Sequence, residues 1–226
     1  MLGNVLFFGR KDCVYTKKIK SFLKKKSKNF YYLQSNFFGE KINISKFNKI
    51  NFDYIFCFRS YYILKKEFLK KCKKAAINFH PGTPKYRGIG CVNFALLNNE
   101  KYYGCTAHII NQKIDNGKIL NVKKFKVRVN DNVQSCLEKT YKLMFKQAKI
   151  TMNLLLKNEN NLARLIQKNK KIKWSKKITT KKDLEKIYSI KKNISKKDFS
   201  KQIRATKTKL FKPYISLYGK KFILYD

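Results

Sequence analysis

Ala75-Ala76-Ile77-Asn78-Phe79-His80-Pro81-Gly82-Thr83-Pro84-Lys85-Tyr86-Arg87-Gly88 is the stretch on which the fold turns. Its first five residues read as a buried strand, and the residues after His80 cannot continue one. Pro81 and Pro84 each lack a backbone donor, and Gly82 and Gly88 open conformations closed to other residues, so an irregular loop must follow the strand. Two of the chain's three prolines and one of its two histidines fall between residues 78 and 88. Asn78 and His80 lie two apart on an extended segment, so their side chains leave the same face. In open α/β sheets, ligands bind outside the carboxyl ends of strands, which is where this loop stands.

Working outward, strand and helix patterns alternate. Asn4–Phe8 reads as a strand, and residues 14–26 place Val14, Ile19, Phe22 and Leu23 among lysines as an amphipathic helix. Phe30–Leu33 and Phe52–Phe58 are strand-like, and Leu64, Phe68 and Leu69, continued by Cys72, predict a helix within Tyr61–Lys74. Beyond the loop come a short helix over Val92–Leu97, a strand over Gly104–Ile110, a turn at Gly117 and a strand over Lys118–Val129. Val133, Leu137, Tyr141, Met144, Ala148 and Met152 mark a long helix over Asn132–Leu156, capped by the Asp131-Asn132 pair. The alternation predicts an α/β fold with βαβ units and a mostly parallel sheet. Residues 1–156 form the body. Residues 157–226 form an extension with helices over Lys181–Ile187 and Lys196–Arg204 and a terminal β-hairpin, Tyr214–Tyr218 with Lys221–Tyr225, joined at Gly219-Lys220.

The chain has 226 residues, with 54 Lys and Arg against 13 Asp and Glu, a formal charge of +41. Such a surface invites a polyanion partner. The excess is nearly all Lys, however, alongside abundant Asn, Ile, Phe and Tyr, the residues of A/T-rich codons. Arginine occurs only at positions 10, 59, 87, 128, 164 and 204. Base composition would produce this bias without any selection for polyanions. A nucleic-acid-binding protein on an α/β scaffold remains the non-enzyme alternative, without an arginine–aromatic cluster or RNA module to support it. No apolar run approaches the ~20 residues that span a bilayer, and the amino terminus does not read as a signal peptide. Six scattered cysteines without a Cys-x-x-Cys pair, and two histidines, give no zinc pattern, so no metal is expected and a reducing cytoplasm is the expected location.

A second loop, Ile114-Asp115-Asn116-Gly117, carries one of the few acidic residues. Histidine can move a proton, an asparagine amide can donate to a developing oxyanion, and an aspartate can orient and charge the histidine. Those parts suit acyl or formyl transfer to an amine. Taken alone, Asn78-x-His80 is more often a loop cap beside a packed histidine than a catalytic pair.

The order of the pieces goes further. Asn78-x-His80-Pro81-Gly82, Tyr86-Arg87-Gly88, Gly104-Cys105-Thr106-Ala107-His108 and Ile114-Asp115-Asn116-Gly117-Lys118-Ile119-Leu120 together resemble the folate-dependent formyltransferase family. The resemblance is close over roughly residues 50–155 and is only a strand–helix pattern before that. It implies a Rossmann-like catalytic domain and 10-formyltetrahydrofolate as formyl donor. His80 is then the general acid/base, Asn78 the oxyanion donor and Asp115 the carboxylate that raises the pKa of His80. Folate contacts, largely through backbone, would fall on Tyr62, Ile63 and Leu64 and on Asn111, Gln112, Lys113, Ile114 and Asp115. Gly82, Lys85, Tyr86, Arg87 and Gly88 are substrate-side candidates, with Lys85 and Arg87 for a pyrophosphate. His108 also matches a family position, as a packing, substrate-shaping or catalytic residue. One departure stands out: family members commonly have two residues before the second loop proline, where this chain has Thr83 alone.

The family's acceptors include initiator methionyl-tRNA, glycinamide ribonucleotide and nucleotide-linked amino sugars. The extension offers too few strands for the five-stranded barrel of the tRNA enzymes. Its Ile203-Arg204-Ala205 motif and terminal hairpin are instead similar to the ends of sugar N-formyltransferases. The resemblance therefore implies an amino-deoxy sugar on a nucleotide as acceptor, a role in lipopolysaccharide or glycan biosynthesis, and a homodimer through the hairpin.

Overall fold

The computed structural model describes residues 1–37, 39–41, 43–208 and 211–225. The body begins with β1 (Leu2–Arg10), α1 (Val14–Lys26), β2 (Ser27–Ser35), β3 (Phe52–Phe58), α2 (Lys66–Leu69) and β4 (Cys72–His80). It continues with β5 (Arg87–Gly88), α3 (Cys91–Leu97), β6 (Tyr102–Ile109), β7 (Ile119–Lys126) and α4 (Val133–Lys157). A six-stranded sheet has the order β2-β1-β3-β4-β6-β7. The first four strands pair in parallel, and β6 and β7 each run antiparallel to the neighbour before them. This is the mostly parallel α/β sheet expected from the sequence.

The apolar strands are continuous rather than alternating because both faces are covered. Val5 and Phe7 point toward α1 and α4 with Ile19, Leu23, Met144 and Met152. Leu6 and Phe8 point the other way, onto Leu64 and Phe68. Helix α4 starts where Asn132 accepts from the Ser135 amide in a capping box, as the Asp131-Asn132 pair suggested.

The predicted helix over Tyr61–Lys74 is corrected to a single turn, α2. Phe52 pairs with Cys72, so β4 begins at a residue assigned by spacing to the helix face. Leu64 and Phe68 still enter the second core cluster, but over a crossover too short for more than one turn.

The extension holds α5 (Asn161–Lys168), β8 (Ile178–Thr179), α6 (Lys181–Tyr188), β9 (Ser189–Ile190), α7 (Lys196–Thr206), β10 (Tyr214–Leu217) and β11 (Lys220–Ile223). The hairpin is present, and β9 adds a third, parallel strand beside β10. Helix α5, not foreseen, lays Leu162, Leu165 and Ile166 against the first core. Ala205 of α7 is buried in a third cluster with Val92, Leu96 and Val133, and Arg204 donates to the carbonyls of Asp131 and Arg128. The extension is thus packed onto the body at α3 and at the start of α4.

Candidate active site

Ile77 and Phe79 point into the α1/α4 core, so Asn78 and His80 face the other side of β4. His80 is its last residue, buried at 3% exposure. The antiparallel β6 brings His108 opposite Asn78 and Thr106 opposite His80. Strand β6 therefore ends below the level of His80, and the chain must fold back to return Asp115 to it. Gly117 permits the fold: a Cβ there would lie 1.7 Å from the Ile109 carbonyl oxygen. Asp115 itself sits at φ 42°, a left-handed conformation uncommon for a side-chain-bearing residue.

His80 and Asp115 meet, and Asn78 is linked to them through His108. His80 Nδ1 is 3.4 Å from Asp115 Oδ2, and His108 Nε2 is 3.6 Å from Asp115 Oδ1. The Gly88 amide donates to Asp115 Oδ2 at 3.0 Å. On the other side of the ring, His80 Nε2 is 2.9 Å from the Tyr86 carbonyl oxygen, which can only accept, so Nε2 carries a proton. Gly82 makes room for this: a Cβ there would lie 2.5 Å from Nε2. Burial works against a charged His80, but the Asp115 carboxylate and Cys91 outweigh it and raise its pKa to about 9. Burial opposes the charged form of Asp115 as well, yet His80, His108 and the Gly88 amide hold it well below the usual carboxylate range. Both shifts favour the imidazolium–carboxylate form of the pair.

The partners also fix His108 and Asn78. His108 Nδ1 is 2.8 Å from the Ile109 carbonyl and must donate to it. Nε2 lies between the Asn78 amide nitrogen, 3.2 Å away, and Asp115 Oδ1. The Asn78 contact takes at most one of its two N–H groups and leaves the other for a substrate oxygen.

The substrate-side candidates divide. Arg87 is buried, with Nη1 donating to the Ser175 carbonyl and Nη2 to the Ile114 carbonyl at 2.6 Å, so it ties the Asp115 loop to the extension. Tyr86 is buried and donates to Glu100, which also pairs with the exposed Lys85. Thr83 accepts from the Tyr86 amide, closing the shortened loop as a tight turn.

The residues proposed for folate divide between buried and exposed positions. Tyr62 stacks on Phe8 at 5.2 Å, Leu64 is buried and Ile63 is exposed. Among the described residues the backbone groups of Ile63 and Leu64 have no hydrogen-bond partner, so they remain available to a ring's edge. Tyr62, Leu64 and Ile110 share one core cluster, which brings the 62–64 segment beside the start of the 111–115 loop. Asn111, Gln112, Lys113 and Ile114 are exposed there. Among the described residues there is no cluster of three or more His, Cys, Asp or Glu suited to a metal ion. Nor is any described helix long and apolar enough to cross a membrane.

Three features had no sequence signal. Cys91 Sγ lies 3.8 Å from His80 Nε2. Trp174 of the extension stands against both histidine rings. Arg10 ends β1 and Arg59 follows β3, both near the level of His80: Gly9 pairs with Phe58, and Phe58 with Phe79. Arg59 lies over the Tyr141 ring at 3.5 Å and Arg10 over Tyr61 at 4.4 Å.

The chain thus carries an α/β sheet with Asn78, His80, His108 and Asp115 gathered at the end of a central strand. Residues 5–151 match the formyl transferase family model, well over half the chain, and the protein belongs to that family. It is 36% identical over 131 residues to the bifunctional polymyxin resistance protein ArnA of Wigglesworthia glossinidia brevipalpis, covering 55% of this chain and 20% of that protein. It is 41% identical over 78 residues to the methionyl-tRNA formyltransferase of Thermodesulfovibrio yellowstonii, covering 34% and 25%. The chain thus matches a fifth to a quarter of these relatives' length. A sugar N-formyltransferase from Shewanella superposes with a TM-score of 0.69 at 19% identity, over 98% of this chain and 96% of that one. The N-formyltransferase of Helicobacter canadensis, solved with folinic acid and dTDP-3-aminofucose, gives 0.67 at 20% identity over 98% and 86%. These two likenesses establish the shared fold, and they extend through the C-terminal extension.

Proposed function

We propose that the protein transfers a formyl group from 10-formyltetrahydrofolate to the amine of a nucleotide-linked amino-deoxy sugar. The observation that carries the proposal is the buried His80–Asp115 ion pair with the free Asn78 N–H beside it. The folate supplies the formyl group on one of its nitrogens; the protein supplies charge and proton. As a neutral acceptor amine adds to the formyl carbon, negative charge grows on the formyl oxygen, and the Asn78 N–H and the His80 imidazolium stabilise it. The transferable proton is that on Nε2, because it rests on the neutral Tyr86 carbonyl while Nδ1 faces the Asp115 carboxylate. Delivered to the departing folate nitrogen, it lets the carbon–nitrogen bond break, and the proton that the acceptor nitrogen sheds on becoming an amide returns to His80.

The acceptor reading is supported by end-to-end likeness to sugar N-formyltransferases, one of them solved with an amino-sugar nucleotide. Arg10 and Arg59, which have no carboxylate partner among the described residues, are the cations proposed to face its pyrophosphate. Arg87 is instead occupied by backbone carbonyls. The local identity to methionyl-tRNA formyltransferases supports a second reading, with charged initiator tRNA as acceptor. Purified protein with 10-formyltetrahydrofolate is assayed for folate release and product mass against a panel of nucleotide amino sugars and charged initiator tRNA. Formylation of an amino sugar supports the proposal; formylation of the tRNA alone replaces its acceptor, and turnover of neither overturns it.

A further inference from the structure

Trp174 is the only tryptophan in the chain and comes from the extension, far in sequence from the catalytic loops. Its ring centroid lies 5.0 Å from that of His108 and 5.8 Å from that of His80, with the planes at 82° and 73°. Its Nε1–H donates to the Gly117 carbonyl at 2.8 Å, at the residue that lets the Asp115 loop fold back. The next residue is fastened twice: the Ser175 amide donates to the Pro84 carbonyl, and its own carbonyl accepts from Arg87. One side chain therefore touches both histidines and grips the loop that carries their carboxylate.

We infer that Trp174 is a positioning residue for the His80–His108 pair, holding the ring planes and the Asp115 loop in register and keeping water from between them. The kinetic part of the inference rests on the formyl-transfer reading; the spectroscopic part does not. Groups facing His80 come from every packed element: Asp115 from the loop after β6, His108 from β6, and Cys91 and the Tyr86 carbonyl on the α3 side. Arg87, the guanidinium on the loop, donates from Nη1 and Nη2 to the carbonyls of Ser175 and Ile114, while its buried Nε has no partner among the described residues. Water admitted beside His80 weakens both the burial that disfavours its charge and the Asp115 attraction that outweighs it. The histidine then relaxes toward ordinary behaviour.

Trp174→Ala is expected to lower kcat on the order of 10- to 100-fold, the scale of a misplaced catalytic group. The acceptor KM should move little, and the alkaline limb of the pH–rate profile should fall from about 9 toward 6.5. Trp174→Phe keeps an aromatic wall and should restore the limb. Unchanged kcat and limb in Trp174→Ala, or a loss of rate with the limb in place, would overturn the inference. The wild-type protein gives a second reading without catalysis. An imidazolium touching an indole quenches its emission more than a neutral imidazole does, so tryptophan fluorescence should rise as pH passes about 9. That step should vanish in His80→Gln. A flat emission through this range, or a step that survives in His80→Gln, contradicts the placement even if Trp174→Ala fails to fold. A protein that shows the step but transfers no formyl group retains the inference about the histidines and loses the proposed function.

Discussion

The carboxyl edge of the sheet is built in two ways. Around His80 both ring nitrogens face protein acceptors, the Asp115 carboxylate and the Tyr86 carbonyl, and the buried arginine nearby is tied down at two points. Around β1 and β3, a few ångströms away in strand order, Arg10 and Arg59 rest on aromatic faces and leave most of their donors unspent. The first region is organised before substrate arrives, which suits charge stabilisation in a transition state. The second can reshape around a ligand, which suits recognition of a polyanion by planar guanidinium groups. If His80 carries the chemistry and Arg10 and Arg59 the binding, substitutions at the two ends should separate them.

The largest effects belong to the organised end. His80→Ala and Asp115→Ala are each expected to reduce transfer on the order of 10³-fold or more in steady-state assays while circular dichroism shows the fold intact. Asn78→Ala should cost on the order of 10²–10³-fold in kcat, the usual loss for an oxyanion donor. Near-normal transfer by any of them would erase the distinction between the two ends. Gly82→Ala forces a Cβ against His80 Nε2 and should lower kcat roughly 10- to 100-fold with little change in KM.

Smaller and different in kind is the effect expected at the second end. Arg59→Ala or Arg10→Ala should raise the acceptor KM about tenfold, equivalent to about 1.4 kcal/mol, with kcat held. Arg59→Lys should recover little, because an ammonium cannot reproduce the forked contact. A fall in kcat with KM unchanged would move Arg59 into the chemistry. Smallest is the pH effect on stability. Folding raises the His80 pKa from 6.5 to about 9, so its stabilising contribution is complete below pH 6.5 and lost as pH rises through about 9. The Asp115 contribution runs oppositely, present above about pH 3.9 and lost on acidification. Thermal melts between about pH 6 and pH 10 should show the alkaline loss in the wild type and a flatter profile in His80→Gln.

The sequence disclosed these regions unequally. Phe52–Phe58 and Val14–Lys26 were legible to the residue because a doubly covered strand and a lysine-backed helix each leave an unmistakable local pattern. The two loops that bring Asp115 to His80 were legible because proline and glycine mark them, while the roles proposed for Asn78, His80 and Asp115 came from the resemblance of the ordered motifs. The crossover at 61–71 was misread because Leu64 and Phe68 are spaced for a helix, while the pairing of Phe52 with Cys72 is a tertiary fact. Arg87 shows a different limit: a buried arginine holding backbone carbonyls and one holding a phosphate look the same in a sequence. Trp174 and Arg59 acquire their roles only when the extension folds back and when β1, β3 and β4 come into register.

The central claim is tested most directly by one assay. The protein, 10-formyltetrahydrofolate and a dTDP-linked amino sugar are incubated, and the sugar nucleotide is weighed by mass spectrometry alongside a His80→Ala control. The account predicts that one hydrogen on the acceptor is replaced by one formyl group, with an equal amount of folate released, and neither change in the control. An unmodified sugar nucleotide across the panel of amino sugars, or formylation that persists without His80, would contradict it.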